Sequence, residues 1–227
     1  MRVATYNVHD CVGRDGRFDP LRITTVINEL DADVIALQEV TLDHGGDLLR
    51  QFEAATGMVA VDGTLFARGV GHYGNLLLTR HRVVGNRSHD IAFGSREPRG
   101  VVDAVLHDGS DHYRVLATHL GLSLGERRDQ LARLAALVNR NGAPTILLGD
   151  FNVWWSRRPL ALLARRGFEH CAVRSFPNWR WPLAALDRIF VSPPLKQRHC
   201  RRHTSRLARI ASDHYPVVTE VTRQKIE

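Results

Sequence analysis

The 227 residues are 44 % apolar and 24 % charged, the balance of a soluble globular chain, and they contain no repeat, low-complexity tract or apolar run long enough to span a membrane. A formal charge of +7 and a pI of about 10 favour a polyanionic or phosphate-bearing partner. No linker or compositional shift divides the chain, so residues 1–227 are expected to form a single domain. The opening run Met1-Arg-Val-Ala-Thr-Tyr-Asn is already strand-like and leaves no room for a signal peptide, which predicts a cytoplasmic protein. Cys11, Cys171 and Cys200 are odd in number and lack metal-site spacing, which predicts reduced thiols.

In chain order, residues 2–8 read as a strand. Asp19-Pro20 then supplies an N-cap and a first-turn proline to a helix whose apolar face is Ile23, Val26, Ile27 and Leu30. Val34 to Leu37 is a short buried strand, and Leu48, Leu49 and Phe52 mark a second helix ended by Gly57. Strands are predicted near 75–79, 101–106 and 114–118. Ser123 and Glu126 form a capping box before a helix with the stripe Leu131, Leu134, Ala135 and Val138. A strand at 145–148, a helix near 158–166 and strands at 186–191 and 216–221 complete the pattern. Strands 101–106 and 114–118 adjoin without a helix between them, which a doubly wound parallel sheet would not show. Mixed or antiparallel sheets covered by outer helices fit better.

Polar side chains gather where these strands end. Asn7 closes the first, Glu39 follows Val34-Ile-Ala-Leu-Gln, and His119 follows Arg114-Val-Leu-Ala-Thr. Asp150 and Asn152 end Thr145-Ile-Leu-Leu-Gly, Asp187 opens Leu186-Asp-Arg-Ile-Phe-Val, and Asp213-His214 precede the last strand. Each has a plain structural alternative: Glu39 leaving the sheet for solvent, His119 as a satisfied core histidine, Gly-Asp-Phe-Asn and Asp213-His214 as turns. Together they supply the inventory of a metal-assisted phosphodiester hydrolase.

The segments Tyr6-Asn-Val, Leu37-Gln-Glu-Val, Thr118-His-Leu, Gly149-Asp-Phe-Asn, Leu186-Asp-Arg and Ser212-Asp-His-Tyr-Pro-Val resemble, in order, the endonuclease/exonuclease/phosphatase superfamily of DNase I-like metal-dependent phosphohydrolases. His72-Tyr-Gly-Asn, Arg99-Gly-Val and His119-Leu-Gly-Leu are similar to a little-characterised bacterial branch. The resemblance implies a four-layered α/β sandwich, two mixed sheets face to face with helices outside. It further implies that Glu39, with Asn7 and Asp213, holds a Mg²⁺ ion for which Mn²⁺ can substitute. Asp150 would activate water, Asn152 and His119 would donate to the phosphate oxygens, and His214, oriented by Asp187, would contact the scissile phosphate or act as the acid–base group.

Many nucleases of this superfamily carry an acidic residue two positions after the first-strand asparagine, where this chain has His9. One metal ion, with His9 turned to substrate phosphate, is the expectation. Arg96 and Arg99 resemble a basic segment that touches backbone phosphate, the alternative being a surface loop. Between Asp187 and Asp213 there is no acidic residue, while Lys196, Arg198, Arg201, Arg202, Arg206 and Arg209 fall there; a phosphate-attracting rim beside the site is expected. Trp154, Trp155, Trp179 and Trp181 can stack on bases, lie at a lipid interface or pack under loops. Nucleic acid is the leading substrate, with phospholipid headgroups or sugar phosphates as the enzymatic alternative. A catalytically silent module that holds polyanions is the alternative of another class.

Overall fold

The computed structural model describes residues 1–43, 47–69, 71–138, 142–154 and 160–224. Alternation along the strands dictates its layers. In β1 (Arg2–Asn7) and β2 (Val34–Asp43), Val3, Val34 and Ala36 point one way, and Ala4, Tyr6, Ile35 and Leu37 the other. The first set enters a core shared with Ala104, Val115, Ala117, Ile146, Leu148 and Ile189 of the second sheet. The other set packs on Ile23, Val26, Ile27 and Leu30 of α1 (Pro20–Leu30) and Phe52 of α2 (Asp47–Thr56). A third core joins Leu116 and Leu147 of the second sheet to Leu131 and Leu134 of α3 (Leu124–Val138) and Leu163 of α4 (Ala161–Ala164). Helices, sheet, sheet and helices thus make the four-layered α/β sandwich that the resemblance implied, with the mixed sheets that the strand pattern favoured.

Each sheet has six strands. The first adds β3 (Val59–Arg68), β4 (Gly71–Thr79), β11 (Leu195–Arg202) and β12 (Val217–Arg223) in the order β11-β12-β1-β2-β4-β3. The second comprises β5 (Arg82–Asp90), β6 (Gly100–His107), β7 (His112–His119), β8 (Thr145–Asp150), β9 (Glu169–Ala172) and β10 (Asp187–Val191), ordered β5-β6-β7-β8-β10-β9. Both are mixed: β1 runs parallel to β2 and β7 to β8, while the other pairings are antiparallel. The predicted caps form. Asp19 accepts from the Arg22 amide at 3.0 Å, and Ser123 and Glu126 exchange capping-box contacts at 3.3 and 3.5 Å. Of the helix expected near 158–166, the described part is α4; residues 155–159, Trp155 among them, lie outside the described residues.

The thiol expectation is corrected. The sulfurs of Cys171 and Cys200 are bonded, with Cα atoms 6.0 Å apart, and they join β9 to β11 at one edge of the sandwich; only Cys11 is free and buried. A sequence separation of 29 residues offers no spacing signal for such a bond. Cross-links closing loops of this length stabilise by about 3–4 kcal/mol. Cys171→Ala with Cys200→Ala is therefore expected to lower Tm, and reductant to lower Tm of the parent but not of the variant, as thermal melts will show.

In the second sheet, buried Asp103 on β6 accepts from Arg114 at 2.7 and 2.8 Å, from Arg87 at 2.8 Å and from His89 at 2.8 Å. Burial works to raise its pKa, but the bonds from Arg114, His89 and Arg87 together hold it well below the usual carboxylate range. A depressed folded-state pKa adds stability above the unfolded-state value, near 4, that disappears as pH falls through the folded-state value. Asp103→Asn is expected to cost on the order of 3–5 kcal/mol, because Arg114 stays buried without its counter-charge. The difference from the parent should shrink below about pH 4, measured by urea unfolding across pH.

Candidate active site

The strand ends that feed the site continue the alternation of the central core. Asn7 follows Val3 and Thr5, His119 follows Val115 and Ala117, and Asp150 follows Ile146 and Leu148, so each points into the space between the sheets at its rim. Asp187 opens the same face of β10 as Ile189 and Val191. Asp150 is registered opposite both His119 and Asp187.

Glu39 has the wrong parity for this. After Ile35 and Leu37, regular alternation would send it toward the helices. A register shift between Leu37 and Val40, with Glu39 at φ +56°, turns it back to the rim. A bulge that re-aims one side chain is a recurrent device beside active sites. Asn152 has φ +51°, a second non-glycine residue held in left-handed backbone. Its N–H donates to Asp150 Oδ1 at 2.9 Å.

Asn7 ties the carboxylates together. Its Oδ1 accepts from the His9 amide at 3.1 Å, and its Nδ2 donates to Glu39 Oε1 at 2.8 Å and to Asp150 Oδ2 at 3.2 Å. Two imidazoles flank Asp150 Oδ2, His119 Nε2 at 3.6 Å and His214 Nε2 at 3.8 Å. Their environments differ in sign. Arg99 Nη1 lies 2.8 Å from His119 Nδ1 and the Asn152 amide nitrogen 3.1 Å from His119 Nε2, so both ring nitrogens face donors. Burial, with Arg99 and His214 nearby, drives the His119 pKa well below its ordinary value, and the ring is neutral. For His214 burial pulls the same way, but the Asp187 carboxylate, 2.8 Å from Nδ1, outweighs it and raises the pKa to about 10. Asp187 is in turn held by Ser175 Oγ at 2.6 Å. Burial pushes Asp150 above the usual carboxylate range, opposed by the His214 charge. At neutral pH the centre therefore sets a neutral imidazole and an imidazolium on either side of one carboxylate.

These groups open onto a cleft of about 380 Å³ lined by His9, Glu39, Arg99, His119, Asp150, Asn152, Asp213 and His214, with Asn7 and Asp187 buried beneath it. A larger hollow of about 600 Å³, walled by apolar Val12, Phe18, Pro20 and Leu48, contains none of the candidates.

Two donor sets can be weighed for a metal ion. Oxygen or nitrogen atoms of Asp150, Asp187 and His214 lie within 4.8 Å of one another. In that set Asp187 Oδ2 already accepts from Ser175 and His214, while the buried Asp187 Oδ1 has no hydrogen-bond partner among the described residues. Glu39 and Asp150, bridged by the Asn7 amide, and Asp213 also offer carboxylate oxygens to the cleft, the donor type a hard divalent cation prefers.

Several expected site residues are placed differently. Arg96 lies exposed in the turn before β6 and does not line the cleft. Arg99 lines it but is 8 % exposed and engaged with His119 and with Glu97 Oε1 at 2.8 Å, so it orients a side chain more than it offers a free charge. The basic run from Lys196 to Arg209 is not a cleft rim: none of it lines the cleft, and its first part is edge strand β11. There Lys196 pairs with Glu169, and charges blunt an exposed strand edge. Trp154 and Phe176 line the cleft, Phe176 lying 4.6 Å from the His214 ring, whereas Trp179 and Trp181 are exposed outside it. Ser175, Arg68 and Tyr73 were not anticipated; only Tyr73 lay in a motif the sequence had singled out.

Residues 4–214 match the Endonuclease/Exonuclease/phosphatase family. The chain is 28 % identical over 247 aligned residues to the Escherichia coli (strain K12) uncharacterized protein YbhP, with 97 % of this chain and 96 % of that protein covered. Its fold is similar to that of an endonuclease/exonuclease/phosphatase from Beutenbergia cavernae DSM 12333, at TM-score 0.83 and 22 % identity over 98 % of this chain and 71 % of that one. It is also similar to the mannosyl-6-phosphatase Bt3783 of Bacteroides thetaiotaomicron VPI-5482, at TM-score 0.74 and 18 % identity over 98 % and 99 % of the two chains. With its strand-end carboxylates and paired imidazoles set in a four-layered sandwich, the chain belongs to the endonuclease/exonuclease/phosphatase family of metal-dependent phosphohydrolases.

Proposed function

We propose that this protein is a Mg²⁺-dependent phosphodiesterase that cleaves nucleic-acid backbones. The observation that carries the reading is Asp150 held between a neutral and a protonated imidazole, with Glu39 one hydrogen-bonded amide away. Asp150 accepts a proton from the attacking water as its oxygen bonds to phosphorus, and the bond to the leaving oxygen breaks on the opposite side. His119 and the Asn152 amide donate to the phosphate oxygens as negative charge builds there. His214, kept cationic and oriented by Asp187, stands where it balances that charge. Glu39 would hold the cation, with Asp213 also lining the cleft, and Asn7 fixes the Glu39 carboxylate. A divalent ion bound there supplies Lewis acidity to a phosphate oxygen.

A phosphatase acting on sugar phosphates is the second reading, favoured by the similarity to a mannosyl-6-phosphatase. A panel of plasmid DNA, RNA oligonucleotides, phospholipid vesicles and hexose phosphates, each with Mg²⁺, Mn²⁺ or EDTA, separates the two. Turnover of the nucleic acids, lost in EDTA, is expected. Binding without turnover on every substrate would leave only a silent polyanion module.

A further inference from the structure

The two arginines of the cleft wall differ in kind. Arg99 is buried and spent on His119 and Glu97, whereas Arg68, the last residue of β3, is half-exposed and touches none of the hydrolytic groups. Its guanidinium lies 4.4 Å above the ring of Tyr73, another cleft residue, and its Nη1 is 3.3 Å from Asp10 Oδ2. Asp10 is itself fixed, since its other oxygen accepts from Thr41 Oγ1 at 2.6 Å. It stands in the middle of three successive left-handed residues, His9, Asp10 and Cys11, at φ +49°, +52° and +59°. Such a run costs energy at each residue and persists only when its surroundings enforce it. An exposed ion pair alone contributes too little to account for it. Ring, carboxylate and strained turn instead share one result: they hold a long, entropy-rich side chain over the cleft with its remaining N–H edge open.

Sheet order gives the separation. Tyr73 is registered opposite Thr41, two residues beyond Glu39, and Arg68 starts one strand further out on β3. Two strand spacings are about 10 Å. Because the guanidinium leans back over Tyr73 on β4, it hangs roughly 5 Å from β2 laterally, on the wall of the cleft that the hydrolytic groups also line. A planar donor fork at that offset suits a phosphate oxygen pair.

We propose that Arg68, clamped by Asp10 and Tyr73, forms a subsite for a second phosphate one nucleotide away from the scissile one. This rests on the phosphodiesterase reading and narrows it to substrates with nucleotide-spaced charge.

Calorimetry in Mg²⁺, with ligands checked intact by chromatography, compares thymidine 3′,5′-bisphosphate with thymidine 5′-monophosphate. The parent protein is expected to prefer the bisphosphate at least tenfold, Arg68→Gln to bring that ratio toward one, and Arg68→Lys to restore part of it. The salt dependence of bisphosphate binding should fall by about one counterion in Arg68→Gln. An unchanged ratio in Arg68→Gln, or equal weakening of both ligands, overturns the subsite. An equal dependence on Arg68 for glucose 1,6-bisphosphate overturns its nucleotide assignment. Because this readout is binding, it separates from the hydrolysis reading: an Arg68-dependent preference in a protein that cleaves nothing retains the subsite and discards the phosphodiesterase.

Discussion

Asp150→Asn is expected to lower kcat for phosphodiester cleavage by about 10²- to 10⁴-fold while the protein stays folded. The substitution keeps the side chain's shape and one acceptor oxygen, so either the Asn152 N–H or the Asn7 amide, but not both, retains its acceptor. What disappears is the acceptor for the water's proton. Burial has already moved Asp150 above the ordinary carboxylate range, toward the pKa at which a general base works near neutral pH. Single-turnover rates with saturating Mg²⁺ and circular dichroism of both proteins make the comparison. A variant retaining a tenth or more of the parent rate would remove Asp150 from the role of base.

The second large effect concerns His214. His214→Ala is expected to cost about 10²- to 10³-fold in kcat/KM, the loss typical of one preorganised charge or donor at a phosphoryl centre. Asp187→Asn should share much of that loss, because Asp187 holds the imidazole at 2.8 Å. The double variant should therefore be little worse than His214→Ala alone. The pH profile distinguishes a charge effect from a packing effect. Burial favours the neutral ring, and Asp187 raises the His214 pKa to about 10 against it. The activity attributable to the imidazolium is fully present below that value and is lost as pH rises through it. In Asp187→Asn the alkaline limb should move down toward neutrality. A limb that does not move would mean that Asp187 supports the fold rather than the charge.

How much of this was legible beforehand depended on where each strand lies. The inner strands β1, β2, β4, β6, β7, β8, β10 and β12 were all read from apolar runs, because a strand covered on both faces must be apolar along most of its length. The strands that escaped, β3, β5, β9 and β11, are the two edges of each sheet. Edge strands are half-solvated and carry charges that suppress further pairing, so Arg82 to Asp90 and Leu195 to Arg202 look like polar loops. The same property misled the reading of the basic run, which proved to be one of these edges and not a wall of the cleft.

The sequence by itself determined the inner strands and which side chains stand at strand ends, since apolar periodicity and local caps depend only on near neighbours along the chain. The tertiary structure alone decided the aim and charge of those side chains. Glu39 reaches the rim through a bulge that regular alternation would not foretell, and His119 and His214 share a residue type yet hold opposite protonation. Arg99 and Asp187, which set those two states, lie 20 and 27 residues away in sequence, and the Cys171–Cys200 bond spans 29. Such partners meet only when strands pair and sheets pack, and electrostatic environment is a property of distance in space, not of order along the polymer.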